Sequence, residues 1–231
     1  MLHSYNSRRI PMRNYKLLVV LVLSALLIPR LVSAQMFKAD QWSLQVNGGL
    51  NQPLGELGNW FKSTYNVTGG VTQGFSNNFA VEYRLHYTNF DKEGNGGGTK
   101  YPIPRNLELY FRSVGITLSP LYTFFTSSSF NTYIVSGFGI YRWDSKRGAG
   151  IFQPVPTTSA IVIKAKVRTQ YALGFNGGLG VAIAAGSKAF IDINVRWEGI
   201  MSTLWPTLYL GLEKVEPMQA IGVNAGIRFI L

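Results

Sequence analysis

The feature that most constrains this chain is a repeated alternation of apolar residues with polar or charged ones. In the segment 79–87 every odd-numbered residue is aromatic or aliphatic, whereas Glu82, Arg84 and His86 occupy even-numbered positions. Successive side chains of a β-strand point to opposite faces, so this segment would have one apolar face and one charged face. The alternation therefore predicts a β-strand here and argues against a helix.

The same pattern recurs in segments that are far apart in the chain. Asp192, Arg196 and Glu198 alternate with apolar residues in one segment, and Arg228 shares the polar face of another. The sequence predicts eight strands, with boundaries good to a few residues. They lie at about residues 41–50, 64–75, 79–90, 107–125, 130–143, 165–183, 188–200 and 217–231.

The faces of strands four and five stay unassigned at this stage. In the fourth strand Arg112 shares its parity with Val114 and Ile116, and Pro120 interrupts the run. A bulge or a position at the rim of the sheet is expected there. The fifth strand is apolar on both parities, so alternation does not show which of its faces points inward.

Short and long connections also alternate along the chain. Turn-forming residues join strands at 76–78, 126–129 and 184–187, and much longer connections lie near 51–63, 91–106, 144–164 and 201–216. Alternating short turns and long loops are typical of outer-membrane barrels. Hydrocarbon offers no partner for a free strand edge, so a sheet that crosses it must close. The predicted fold is all-β, an eight-stranded antiparallel up-and-down transmembrane β-barrel.

A soluble barrel or sandwich is the alternative fold, because its strands alternate as well and its apolar face forms the core. Strands of globular proteins usually have about 5–6 residues, and the segment 165–183 is much longer. Aromatic residues also stand at predicted strand ends, among them Trp42, Tyr87 and Trp197. Aromatic girdles at both membrane interfaces explain that placement, so the membrane barrel is favoured.

The first 34 residues predict a secretory signal peptide. Arg13 and Lys16 precede an apolar run at 17–28, and small residues near Ala34 form a cleavage site. The apolar run is shorter than the about 20 residues that a membrane-spanning helix needs. We therefore expect cleavage after Ala34.

Both Met1 and Met12 fit as the start, because a chain beginning at either one keeps all parts of the signal. Cleavage leaves one barrel domain, residues 35–231, and removes five basic side chains of a chain whose formal net charge is +11. The remaining positive charge is spread along the mature chain without a run of basic residues, so nucleic acid is not an expected partner. The absence of cysteine excludes thiolate metal sites and cysteine nucleophiles.

The end of the chain resembles the C-terminal assembly signal of bacterial outer-membrane proteins. The matching residues are Asn224, Gly226, Phe229 and Leu231, with Leu where a terminal Phe is more usual. This resemblance implies recognition of the last strand by the outer-membrane assembly machinery.

Two further segments, 48–55 and 133–141, resemble the small outer-membrane β-barrel domain family. That family includes OmpA-like and OmpX-like eight-stranded barrels and porin-family domains, and the similarity covers the whole mature chain. It implies an integral protein in the outer membrane of a diderm bacterium, in contact with outer-membrane lipid.

The polar face predicts a packed network of ions. Side chains fill the interior of an eight-stranded barrel, and an isolated buried charge is very costly. We therefore expect a monomer with a filled lumen and a structural or surface-interaction role, with no enzymatic activity, cofactor or metal. A narrow porin-like channel is the alternative. The predicted lumenal network consists of Glu82, Arg84, Asp192, Arg196, Glu198 and Arg228.

Aromatic residues in the long connections form a candidate interaction surface for an unidentified extracellular ligand. They are Trp60, Phe61, Trp205 and Tyr209. The alternative interpretation is that these side chains fold over the barrel mouth or enter the membrane interface.

A third functional hypothesis is a lipid A-modifying hydrolase. His86 is the only histidine after cleavage, and the run from His86 to Asn89 faintly resembles the His-x-Ser-Asn element of outer-membrane lipid A deacylases. That resemblance implies that His86 would act as a base for a hydroxyl nucleophile. Thr88 stands in place of the serine, and the sequence identifies no acidic partner for the histidine.

Overall fold

The computed structural model describes residues 36–91, 108–152, 161–207 and 212–231. The predicted signal peptide lies outside these ranges. No helix within them is long and apolar enough to span a membrane. The elements are β1 (Trp42–Leu54), α1 (Gly55–Trp60), β2 (Thr64–Gly74), β3 (Phe79–Asp91), β4 (Leu109–Thr126), β5 (Phe130–Arg147), β6 (Gly150–Phe152), β7 (Ile161–Ile163), β8 (Lys166–Ala184), β9 (Ala189–Thr207) and β10 (Leu212–Ile230).

Eight of these strands form a closed antiparallel barrel in the order β1-β10-β9-β8-β5-β4-β3-β2. The first and last strands pair from Ser43↔Ile230 to Leu54↔Gln219, which closes the ring. Within the described ranges, the small strands β6 and β7 pair with each other, in the connection between β5 and β8. The predicted fold class and strand number are confirmed.

The predicted long connection at 201–216 is wrong. β9 continues to Thr207 and β10 starts at Leu212, and the two remain paired beyond Met218↔Ile200. β8 pairs with β9 only as far as Gly174↔Ile200, so the ends of β9 and β10 continue as a two-stranded ribbon. The part of a strand that leaves the membrane needs no apolar face, so alternation does not mark it. The first connection is also more ordered than expected, because it contains α1.

The structure resolves the faces of strands four and five. On β4, Ser113 and Thr117 point inward, whereas Arg112 shares the outward face with Ile116. The β4–β5 register shifts between Thr123 and Phe125, after Pro120 rather than at it. On β5 the inward set is Tyr133, Val135, Tyr141 and Trp143, and the outward set includes Ile134, Phe138 and Ile140.

The barrel is apolar outside and polar inside. Ile116 and Ile140 are 63% and 60% exposed, whereas Glu82 and Asp192 are fully buried. This polarity rules out the soluble alternative, whose apolar faces would line the core. Exposed aromatic residues ring the apolar belt at both ends. They are Tyr65, Tyr87, Tyr171 and Trp197 at the end with the long connections, and Trp42, Phe79, Tyr122 and Phe229 at the end with the short turns.

Candidate functional site: the barrel lumen

The lumen has three layers, and two of them are apolar. One apolar cluster, here called the long-loop plug, fills the end with the long connections, and a second, the short-turn plug, fills the opposite end. The long-loop plug consists of Leu57, Phe61, Phe90, Leu109, Phe111, Tyr141, Trp143, Ile200, Met218 and Ala220. The short-turn plug consists of Met36, Phe37, Ala80, Leu121, Tyr133, Val135, Ala182, Phe190 and Ile230.

The long-loop plug is completed by the connection between β1 and β2, which turns into the barrel. Leu57 of α1 and the following Phe61 are both buried, and the Phe61 amide donates to the Leu57 carbonyl at 3.1 Å. The Phe61 ring centroid lies 6.5 Å from that of Phe90 and 6.2 Å from that of Phe111. The ring of Phe111 in turn lies 5.8 Å from that of Trp143. Aromatic pairs at such distances stabilise the plug beyond the area they bury.

This position of Phe61 corrects its assignment to the exposed interaction surface and agrees with the alternative interpretation, in which the side chain folds over the barrel mouth. Its side chain is part of the core inside the barrel and is 7% exposed. Trp60 lies at the end of α1 and Trp205 in β9, but their side chains are outside what the structure describes. Tyr209 lies outside the described residues altogether.

The short-turn plug is closed by residues that precede β1. Met36 and Phe37 are each 2% exposed. The Arg228 guanidinium stands 5.6 Å from the Phe37 ring centroid and 6.0 Å from that of Tyr133. Cation–π contacts of this kind are stronger when the cation is shielded from water. The plug thus covers the charged layer directly.

An ion pair between Glu82 and Arg196 spans the middle of the lumen. β3 and β9 stand on opposite sides of the ring, and these side chains meet between them. Arg196 Nη1 and Nη2 donate to the two Glu82 carboxylate oxygens at 2.7 and 2.9 Å. Gln45 of β1 also donates to Glu82. Two parallel hydrogen bonds fix geometry as well as charge, so the pair braces the barrel across its width.

A second ion pair joins Arg228 to Asp192. Arg228 Nη2 lies 3.0 Å from Asp192 Oδ2, and its Nη1 donates to the Thr72 hydroxyl at 2.9 Å. The other Asp192 oxygen accepts hydrogen bonds from Tyr133 and Asn194, both at 2.8 Å. Asp192 thus has partners on β5, β9 and β10.

Arg84, His86 and Glu198 form the third charged group. Arg84 Nη2 lies 3.6 Å from Glu198 Oε1, and His86 Nδ1 lies 3.2 Å from Glu198 Oε2. All six residues of the predicted lumenal network are buried in this layer. They comprise three carboxylates and three guanidinium groups, so their formal charges cancel.

A cavity of about 10 Å³ lies between the third charged group and the long-loop plug. Polar groups of Asn51, His86, Thr88 and Ser113 line one side, and plug residues line the other. This volume holds about one water molecule. In the described ranges, no three His, Asp or Glu side chains converge as metal ligands would.

The plugs were not predicted, although the sequence contains a signal for them. Phe90 shares its parity with Glu82, and Phe190 shares its parity with Asp192. Both aromatic residues therefore lie on the inward face, near the ends of strands whose inward centre is charged. An apolar residue on a polar face thus marks the depth at which the charged layer ends.

The four residues of the predicted assembly signal lie on β10 and just after it, beside the closure with β1. Asn224 is buried and donates to Asn194 at 3.1 Å. Gly226 faces inward opposite Asn47, and Phe229 and Leu231 are exposed on the outer surface.

Solved structures share this fold. A major outer membrane protein from Thermus thermophilus matches with a TM-score of 0.51 at 9% identity, over 83% of this chain and 99% of that one. OprG from Pseudomonas aeruginosa matches with a TM-score of 0.49 at 15% identity, over 84% and 98% of the two chains. Neisserial surface protein A also matches with a TM-score of 0.49 at 15% identity, over 81% and 96%.

No family model and no curated protein matches the sequence. The match to the Thermus structure supports the assignment of the fold, and at 9% identity it supports nothing beyond the fold. Together with the apolar exterior and the closed ring, it identifies the fold as a β-barrel of the outer-membrane type.

Proposed function

We propose that the protein is an integral outer-membrane barrel with a closed lumen, and that it acts as a structural or binding protein through its long-connection end. One observation carries the proposal. A layer of three mutually neutralised ion pairs lies between two apolar plugs, and the cavity beside it is the size of one water molecule. We expect a monomer, surrounded by outer-membrane lipid, that conducts no ions.

Planar-bilayer recording from the purified protein tests the proposal. The wild-type barrel should give no discrete current steps, because an ion would have to displace both plugs and break buried ion pairs. A variant that combines Phe111→Ala and Trp143→Ala with Phe37→Ala and Phe190→Ala, and replaces the central pair by Glu82→Ala and Arg196→Ala, removes part of both plugs and the central brace without stranding a buried charge. Currents from this variant would show that the assay detects an opened barrel of this protein.

The variant must first be shown to fold. A closed barrel runs differently on an SDS gel before and after heating, so unheated and boiled samples of both proteins are compared. Discrete steps from the folded wild type would contradict the proposal, most clearly if Arg228→Ala changed them. Such a result would favour the narrow channel.

One observation favours the hydrolase hypothesis, and another argues against it. Glu198 supplies the acidic partner that the sequence did not identify, since its carboxylate lies 3.2 Å from His86 Nδ1. His86 and Thr88 nevertheless face the lumen, each 2% exposed, beneath Phe90 and Phe111. A lipid outside the barrel therefore does not reach them in this geometry. We expect an unchanged mass spectrum of lipid A when the protein is expressed.

Trp205 and Tyr209 stay predicted contact residues for an extracellular ligand. Their combined replacement by alanine should reduce binding to a host or partner surface while the heat-dependent gel shift is retained.

A further inference from the structure

A cluster of charged side chains stands on the outer surface of the barrel, on β4 and β5 near the long connections. Arg112 and Arg142 lie on either side of Asp144. Asp144 Oδ2 is 3.8 Å from Arg112 Nε, and Asp144 Oδ1 is 3.6 Å from Arg142 Nη2. The Thr169 hydroxyl of β8 donates to Asp144 Oδ1 at 2.7 Å, which fixes the carboxylate. Nearby, Lys146 is paired with Glu108 at 2.9 Å.

The carboxylate of Asp144 does not occupy all the hydrogen-bond donors of the two guanidinium groups. Their side chains are 44% and 55% exposed, whereas that of Asp144 is 17% exposed. Each guanidinium carries five N–H donors, and one carboxylate at these distances engages few of them. Arg112, Asp144 and Arg142 together keep one net positive charge. Asp144 thus holds two arginine side chains close to each other and leaves donors for a second anion.

The cluster lies at the edge of the apolar belt on the side of the long connections. Arg142 is the cross-strand neighbour of Val114 on β4 and Tyr171 on β8. The next outward position on β5 is Ile140, which pairs with Ile116 and Leu173. Those three side chains are at least 60% exposed. Aromatic residues such as Tyr171 favour the level of the lipid headgroups. The two arginines therefore face headgroups, directly above a wall suited to acyl chains.

We propose that Arg112, Asp144 and Arg142 form a binding site for the phosphate group of an outer-leaflet glycolipid. The acyl chains of the lipid lie along the wall formed by Val114, Ile116, Ile140 and Leu173. Phosphate fits because a guanidinium binds it through two parallel hydrogen bonds, and two guanidinium groups can share its oxygens. A cation at the edge of the hydrocarbon is stabilised when an anionic headgroup is present. This site does not depend on whether the lumen conducts.

Binding of two matched lipids to the detergent-solubilised full barrel tests the proposal. The probes are bisphosphorylated hexa-acyl lipid A and the same lipid without its phosphates, and native mass spectrometry counts the bound molecules. The wild type should prefer the phosphorylated lipid by roughly tenfold or more, given two cations near the anionic group. The double variant Arg112→Gln, Arg142→Gln should lose that preference.

A charge-matched control separates this site from a general effect of net charge. The double variant Lys38→Gln, Lys188→Gln removes two exposed cations at the short-turn end and should keep the wild-type preference. Both variants are first checked for the heat-dependent gel shift. Equal binding of the two lipids by the wild type would overturn the proposal, as would a preference that survives in the arginine variant.

Discussion

At the scale of single residues, the buried charges should limit which lumenal side chains can be replaced. Glu82 is fully buried and receives two hydrogen bonds from Arg196 on the opposite wall. Removing one partner of such a pair leaves an uncompensated buried charge, which costs more than the pair itself contributes. The pairing therefore fixes which side chains can be replaced alone and which only together.

Arg196→Met should destabilise the folded barrel by about 3–5 kcal/mol, because Glu82 is then left without its main partner. The urea midpoint of unfolding in lipid vesicles measures the loss. The double variant Glu82→Leu, Arg196→Met should recover most of it, since no charge is then stranded.

Lys188→Met serves as the control for this prediction, because Lys188 lies exposed in the turn between β8 and β9. Its midpoint should equal that of the wild type. If Arg196→Met behaved like this control, the ion pair would not brace the barrel.

At the scale of elements, closure depends on how closely β10 approaches β1. A methyl group added at Gly226 would lie 2.0 Å from the Val46 carbonyl oxygen and 2.6 Å from the Asn47 Cα atom. Backbone atoms cannot yield at such distances without shifting the strand. By contrast, a methyl group at Gly177 on β8 would meet only the Val135 carbonyl oxygen, at 3.9 Å.

Gly226→Ala should therefore lower the fraction of protein that folds, because it forces apart the two strands that close the ring. The folded fraction is measured as the protein that shows the heat-dependent gel shift. Gly177→Ala makes the same chemical change in a strand without the clash and should fold like the wild type. Equal folding yields of the two variants, measured in the same vesicles, would show that the β1–β10 approach is not limiting.

At the scale of the whole molecule, the exterior determines where the protein is stable. Phe138 lies on the outer face of β5 and is 58% exposed, within the apolar belt. Its cross-strand neighbours Leu118 and Phe175 are also exposed and apolar. Such a surface is stable in hydrocarbon and would aggregate in water. The polarity of the barrel thus predicts that the loss of stability caused by a charged substitution on this face increases with the depth of the position in the membrane.

Phe138→Arg should destabilise the barrel in lipid vesicles by about 2–4 kcal/mol, because it places a charge deep in the hydrocarbon. Gln52→Arg, on the outer face of β1 near the aromatic girdle, should cost about 0–1 kcal/mol. Reversible urea titration of both variants gives the comparison. Equal costs at the two positions would contradict the proposed membrane position of the belt.

The sequence by itself determined the eight barrel strands and, apart from the fourth and fifth, their polarity, because lipid on one side and a filled lumen on the other impose a period of two. The fifth strand is apolar on both parities because its inward Tyr133, Val135, Tyr141 and Trp143 belong to the plugs, so only the structure decided its faces. It located Glu82, Arg196 and Arg228 on the inward face for the same reason. It did not locate the ribbon formed by the ends of β9 and β10, since strand ends that extend past the paired part of the ring are not held between lipid and lumen and need no such period.

Only the tertiary structure decided which inward residues meet. Glu82 and Arg196 are 114 positions apart, and Arg228 and Thr72 are 156 apart. Their contacts depend on strand register around a closed ring, and alternation carries no information about register between distant strands. The same holds outside the barrel, where Arg112 and Arg142 flank Asp144 only because β4 and β5 pair in one register. A two-residue period reports what surrounds each strand, whereas the partners of each side chain follow from how the ring closes.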